Sequence, residues 1–180
     1  MVDFKEPYWL GPNGRCMYWK KEQGAIVDDT CEIGDETIIG ANAVLRPYTK
    51  IGHHSIFGTL SCSEGYNSIG NYTTIHAQCH ITQGVTIGDN VFIAPFFIAT
   101  NTPQITRGSH GTSSSQYSTL ETKIEDCVRI GANVRMIPGL TIERDALIMQ
   151  DTLLTRDVPP YAIVKGGKDK VGTIIGWTNK

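Results

Sequence analysis

Aliphatic side chains recur at every sixth residue over more than a third of this chain: Val27, Ile33, Ile39, Leu45, Ile51, Phe57, then Ile69, Ile75, Ile81, Ile87, Ile93 and Ala99, with the polar Ser63 the exception at its place in the series. Four residues after each stands a second column, from Cys31 through Thr37, Ala43, Thr49, Ser55, Ser61, Asn67, Thr73, Cys79, Val85 and Val91 to Phe97. Nearly all of its members are small or β-branched; the large Phe97 precedes the small Ala99, a volume exchange within one layer. The residue after an aliphatic is often glycine, as at Gly34, Gly40, Gly52, Gly58, Gly70 and Gly88. A strand that buries one face repeats every two residues and a helix near every 3.6, so neither explains this step. Two inward side chains followed by a glycine-tolerant corner make a short strand and a turn. Three such units make one coil of a triangular prism, and stacked coils make a hexapeptide β-helix. A β-sandwich has no reason to hold one phase from Val27 to Ala99, because its turns vary in length.

The ladder stops after Ala99 and resumes one residue out of phase at Ile124, Ile130, Met136, Ile142, Ile148 and Leu154. Residues 100–123 are therefore an inserted loop whose ends rejoin a single stack. The implied organisation is an N-terminal cap over 1–24, carrying Phe4, Tyr8, Trp9, Tyr18 and Trp19, a β-helix domain over 25–164, and a tail over 165–180 that forms a cap or a short helix. At one strand spacing per coil, roughly six coils give a prism ~30 Å long. The insertion is polar and rich in serine and threonine, and loops of that length often carry function.

Composition narrows the function classes. The formal net charge of the 180 residues is −2, without a long run of one sign, so neither nucleic acid nor an anionic membrane is the expected partner. No apolar stretch reaches membrane-spanning length. The opening residues lack the basic and apolar regions of a secretory leader, which makes a cytoplasmic location the expectation. Five cysteines, an odd count without a C-x-x-C pair, fit free thiols in a reducing compartment.

The stretches "IGDNVFIAP", "IGANVRMIPGLTI" and "TRDVPPYAIVKGG" resemble the hexapeptide-repeat acyltransferases, over about residues 25–171. The resemblance implies an all-β fold, a left-handed parallel β-helix. It also implies a homotrimer, and transfer of an acetyl group from acetyl-CoA to an amine or hydroxyl, often on a sugar or sugar nucleotide, in clefts between subunits. A prism face is too flat to enclose a substrate alone, and a groove between two prisms is not.

Acetyl transfer needs a proton acceptor, a positioned thioester and a donor for the oxyanion. Galactoside- and maltose-type members of the family keep a histidine base in a T-H-P stretch; here Thr102 stands in its place, before Pro103. That departure is similar to the sugar-nucleotide N-acetyltransferases, whose amine acceptors need less activation. By the resemblance, the acceptor-facing hexad is Ile75-His76-Ala77-Gln78-Cys79-His80. His76 is the first candidate base and His110, on the insertion, the second. Gln78, His80, Asn101 and Thr102 are candidate acceptor contacts, while His53 and His54 read as exposed corner residues. The resemblance assigns the cofactor to the C-terminal coils. Gly131, Ala132 (whose amide is a candidate oxyanion donor), Gly139 and Gln150 line its arm, and Arg156, Lys165 and Lys168 meet its phosphates. Met149-Gln150-Asp151 replaces the small residues usual there and would narrow the groove. No metal is expected. The leading expectation is an acetyl-CoA-dependent N-acetyltransferase for an amino sugar, most specifically a nucleotide-linked one. A γ-class carbonic anhydrase and a non-catalytic trimeric scaffold are the alternatives. His76 and His80 lie four apart, with Ile81 after them, instead of the five-apart pair and H-G-C of the anhydrase pattern.

Overall fold

The computed structural model describes residues 9–10, 16–103 and 120–178. Short parallel strands wind into a three-sided β-solenoid. Face one has seven strands, from Ile26–Val27 to Leu153–Leu154, and face two has six, from Glu32–Ile33 to Thr141–Ile142. Face three has nine, beginning at Lys20–Lys21. Register partners such as Cys62 and His80 lie 18 residues apart, three hexads to the coil. Where the insertion intervenes, Val85 pairs with Thr122 and Ile87 with Ile124, a step of 37. The strand Thr122–Ile124 is thus already solenoid, and the insertion proper ends before it.

The six-residue ladder is the core. Ile39, Phe57, Ile75, Ile81, Ile93, Ala99, Ile124, Ile142 and Ile148 are wholly buried, and Thr37, Thr49 and Thr73 of the second column are equally so. Ser63, the polar break in the ladder, is also wholly buried, inside a small polar layer. Asn67 Nδ2 donates to Ser63 Oγ at 2.8 Å, Ser63 Oγ lies 2.8 Å from Thr49 Oγ1, and the Val85 amide donates to Asn67 Oδ1 at 2.8 Å. Thr49 Oγ1 donates to the Arg46 carbonyl, so Ser63 supplies the proton between the two hydroxyls. Replacing Asn67 by alanine should orphan the Val85 amide and cost about 2–3 kcal/mol. The check is a lower urea midpoint at unchanged m-value.

Two expectations need correction. The coil begins before residue 25, because Lys20–Lys21 already pairs with Ile38–Ile39, and Trp19 packs against the core. Phe4 and Tyr8 lie outside the described residues. The tail, read as a cap or a short helix, forms the strand Gly172–Trp177, antiparallel to Ala162–Gly166. The C-terminal strand therefore closes the last coil by hydrogen bonding. The glycines after the aliphatics do not carry the left-handed backbone of the corner. That conformation falls two residues later, on Glu36, Asn42, Tyr48, His54, Leu60, Tyr66, Tyr72, Gln78, Asn90 and Phe96, all at φ between 53° and 66°. The glycines answer a different need, the close approach of the next coil. A Cβ on Gly70 would lie 2.6 Å from both the carbonyl carbon and the oxygen of Gly88. Gly70→Ala should cost about 1–3 kcal/mol by forcing two coils apart, measurable by urea unfolding.

The three faces differ outside. Face two presents Glu32, Lys50, Ser68, Thr86, Lys123 and Thr141, all polar. Faces one and three present Ile26, Ile98, Ile56 and Phe92, from 37% to 63% exposed.

Candidate active site on face one

Face one runs between two edges, and the candidate residues divide between them. The insertion springs from the edge shared with face two. There Asn101 Nδ2 donates to the Gln83 carbonyl at 3.0 Å, Thr102 Oγ1 donates to Asn101 Oδ1 at 3.1 Å, and the Leu120 amide donates to the Asn101 carbonyl at 3.0 Å. The last of these bonds pins the two stems of the loop together. Asn101 and Thr102 are thus built into the loop's root, and His110 lies outside the described residues.

His76 and Gln78 sit at the opposite edge, shared with face three. Both are exposed. His76 turns the edge of its ring to Phe92, centroids 6.5 Å apart, and its side chain has no hydrogen-bond partner among the described residues. Gln78 holds the left-handed corner position.

His80 stands between the two edges, in the middle of face one, as the register partner of Cys62 below and Ile98 above. Its Nε2 lies 3.1 Å from Glu64 Oε1, with side-chain exposures of 44% and 34%. The pair follows from the coil: Glu64 lies two residues short of one full turn before His80, so both side chains leave the same face on adjacent rungs. An imidazole held by a carboxylate through one nitrogen is oriented and has the other free for a proton. Thr82, which occupies the rung above Glu64, has a buried Oγ1 with no hydrogen-bond partner among the described residues. His53 and His54 are exposed at the corner between faces two and three, as expected. His53 Nδ1 accepts the Asp35 amide at 3.0 Å.

Three of the cysteines make poor nucleophiles. Burial pushes the Cys79 and Cys31 thiols up. Burial also raises that of Cys62, which the Arg46 cation partly offsets while Glu64 adds to the rise. A thiol kept protonated attacks poorly.

The residues assigned to the cofactor do not form one patch. Gly131, Ala132 and Gln150 stack on the edge between faces three and one, in the coils above His76. Gly131 is a stacking glycine, because a Cβ there would meet the Gln150 amide nitrogen at 2.5 Å. The amides of Ala132 and Gln150 donate to no acceptor among the described residues. At the corner between faces two and three, the corresponding amides of Asp35, His53, Asn71 and Asp89 are each taken by a side chain from the next rung. Gln150 is exposed, and Asp151 Oδ1 accepts from Asn133 Nδ2 at 2.7 Å. The Asp151 side chain is thus held in the corner. Gly139 instead lies on the loop-bearing edge against Leu120, its amide donating to Thr122 Oγ1 at 3.2 Å. Arg156 lines a mostly apolar cavity of about 210 Å³ between the last coil and the C-terminal strand. Lys165 and Lys168 are exposed on the terminal hairpin. Among the described residues, no three His, Cys, Asp or Glu side chains gather to hold a metal ion.

Residues 68–96, the coils that hold His76, Gln78 and His80, match the bacterial transferase hexapeptide (six repeats) family. The chain is 28% identical over 178 residues to the bifunctional protein GlmU of Streptomyces coelicolor, matching across 93% of its own length but only 33% of the relative's. It spans about a third of that curated relative. In structure it is similar to a hexapeptide-repeat acetyltransferase of Vibrio cholerae, solved with acetyl coenzyme A, at a TM-score of 0.57 and 24% identity, over 72% of this chain and 71% of that one. A mutant of AntD, an N-acyltransferase from Bacillus cereus solved with dTDP and coenzyme A, aligns at a TM-score of 0.51 and 12% identity, over 91% and 85%. At those identities, the structural likenesses establish a common fold. No helix among the described residues is long and apolar enough to cross a membrane.

Proposed function

We propose that this hexapeptide protein transfers an acetyl group from acetyl-CoA to the amino group of a sugar, the acceptor being a nucleotide-linked amino sugar. The observation that carries the reading is the His80–Glu64 pair at 3.1 Å, set on the face from whose edge the insertion projects. In this scheme the acceptor's amine gives its proton to the free nitrogen of His80. Its lone pair forms the new C–N bond at the thioester carbonyl, and the sulfur leaves as the C–S bond breaks. The amide of Ala132 is the candidate donor to the carbonyl oxygen. The base role moves from His76, whose imidazole has no hydrogen-bond partner among the described residues, to His80; His76 joins Gln78 as an acceptor contact.

The Ala132 amide stands about two rungs above His80, on the edge that face one shares with face three, ~10 Å up the solenoid at one strand spacing per rung. One chain does not bring the two groups to the same carbonyl. A homotrimer, with each cleft drawing His80 from one subunit and Ala132 from the next, removes the mismatch. A closed ring of like subunits uses two different surfaces of each, and this prism has two faces with exposed aliphatics and one without. Two structural relatives support the ligand classes, one bound to acetyl coenzyme A and the other, an N-acyltransferase, to dTDP and coenzyme A.

Incubation with acetyl-CoA and UDP-, dTDP- and GDP-linked amino sugars, followed by thiol release, is the direct test. Turnover with one of them and a sedimentation mass of three chains are expected. No coenzyme A binding by calorimetry and no thiol release with any acceptor would leave the scaffold reading standing.

A further inference from the structure

The C-terminal end of the solenoid closes over a cavity. Leu154 on face one, Val158 bridged to face two and Val164 on face three are the inward side chains of the last coil, each 2% to 3% exposed. In the coils below, such side chains are covered by those of the coil above. Here the cover is the strand Gly172–Trp177. Val171 bridges back to Leu153, and Gly172 is buried at a point where a Cβ would lie 2.8 Å from Val164 Cγ1 and 2.9 Å from Thr152 Cγ2. Glycine lets the chain press onto the core there. Two residues on, Ile174 is 48% exposed and lines the cavity of about 210 Å³. Close-packed interiors leave few voids larger than a water molecule, so a cavity of this size calls for a reason.

The cavity is separate from the candidate active site. His80, Ile98, Arg135 and Leu153 are successive register partners on face one. It therefore lies about three rungs above His80, ~14 Å at one strand spacing per rung. Arg156, in its lining, stands at the corner between faces one and two. Ala132 and Gln150 stand at the corner between faces three and one, so the guanidinium is a face away from the amides that the sequence assigns to the cofactor arm.

The lining is aliphatic apart from a few polar groups, and most of these are already engaged. Asp157 Oδ1 accepts the Thr141 amide, one rung below, at 2.8 Å. Thr173 Oγ1 donates to the Lys165 carbonyl at 3.3 Å. The exposed Arg156 side chain has no ion pair or hydrogen bond among the described residues. A guanidinium without a partner beside aliphatic walls fits an organic anion with an apolar body. Its fork matches a carboxylate through two parallel hydrogen bonds. A phosphate monoester would bring nearly two negative charges to one cation beside Asp157, so the singly charged acid is the better match. An apolar cavity of about 150 Å³ holds benzene, and by that measure this one takes a body of roughly eight carbons.

We infer that the C-terminal end of the solenoid binds a medium-chain monocarboxylic acid, its carboxylate on Arg156 and its tail among Leu154, Val158, Val164 and Ile174. The site does not depend on the transferase reading, because it shares no residue with the His80–Glu64 pair and lies on a different corner from Ala132.

Calorimetry on the full chain with sodium octanoate, sodium butyrate and octanamide tests it, with coenzyme A binding measured on the same samples. Octanoate should bind at least tenfold tighter than butyrate, which lacks most of the tail, and at least tenfold tighter than octanamide, which lacks the charge. It should also raise the melting temperature, because only the folded chain forms the cavity. Arg156→Gln should weaken octanoate at least tenfold and leave octanamide unchanged. The proposal is overturned if octanoate shows no saturable binding, if octanamide binds as tightly as octanoate, or if Arg156→Gln binds octanoate as the parent does. If Arg156→Gln weakens coenzyme A and not octanoate, the guanidinium serves the cofactor and the proposal also fails. The comparison of octanoate with octanamide needs no variant, so it decides the matter even if Arg156→Gln does not fold. Absence of coenzyme A binding in the parent protein would count against the transferase reading alone.

Discussion

His80→Ala is expected to lower kcat for acetyl transfer by about 10²–10⁴-fold while changing KM for acetyl-CoA little, the range general-base removal usually spans. The expectation rests on three features that His80 combines among the described histidines. It lies mid-face, it is half in water, and one ring nitrogen is occupied by Glu64 at 3.1 Å. Glu64→Gln keeps the size and a hydrogen-bonding group but removes the charge that stabilises the imidazolium formed in the step. It should cost less than the histidine itself, about tenfold or more in kcat, again with little change in KM. Steady-state kinetics on both variants and on His76→Ala separate the roles. His76→Ala should raise KM for the acceptor and spare kcat. If His76→Ala abolishes turnover and His80→Ala does not, the base is His76 and the Glu64 pair is only structural.

The second large effect concerns stability. Phe57 is wholly buried and sits in register between Ile39 below and Ile75 above, so it is one rung of a continuous column. Truncation to alanine removes most of a ring from a layer whose neighbours are held by coil-to-coil hydrogen bonds and cannot collapse inward. Phe57→Ala should therefore cost about 3–5 kcal/mol, the upper range for core truncation, whereas Phe57→Leu should cost less than about 1.5 kcal/mol. Urea unfolding decides it, and a loss for the alanine variant under about 1 kcal/mol would mean that the interior is not close-packed.

The architecture was legible because one physical constraint is written repeatedly. An inward side chain at every sixth residue leaves its signature from Val27 to Ala99 whatever the outer residues are. The corner chemistry was less legible. Glycine after an aliphatic answers close approach, whereas the left-handed φ falls two positions later, where Glu36, Leu60 and Gln78 carry nothing in their residue type to mark it. Ser63 looked like a flaw in the ladder, since its compensation comes from Thr49 and Asn67, fourteen residues before it and four after. The site was least legible. Outward side chains obey no period, so His76 attracted attention by family position while Glu64 attracted none. One signal did exist: given an 18-residue coil, outward residues separated by about 16 to 18 positions touch, and a search at that spacing pairs Glu64 with His80. It also pairs Glu32 with Lys50, Glu36 with His54 and Tyr48 with Tyr66.

The bond from the Leu120 amide to the Asn101 carbonyl has a consequence for how this chain tolerates change. That clasp and the Val85–Thr122 register fix the ends of the loop from the solenoid side. Exchanging residues 104–119 for a short glycine-serine bridge should leave the unfolding midpoint nearly unchanged. That result would make the segment an interchangeable cassette on a fixed spindle, free to diversify in length and composition without endangering the scaffold that holds it.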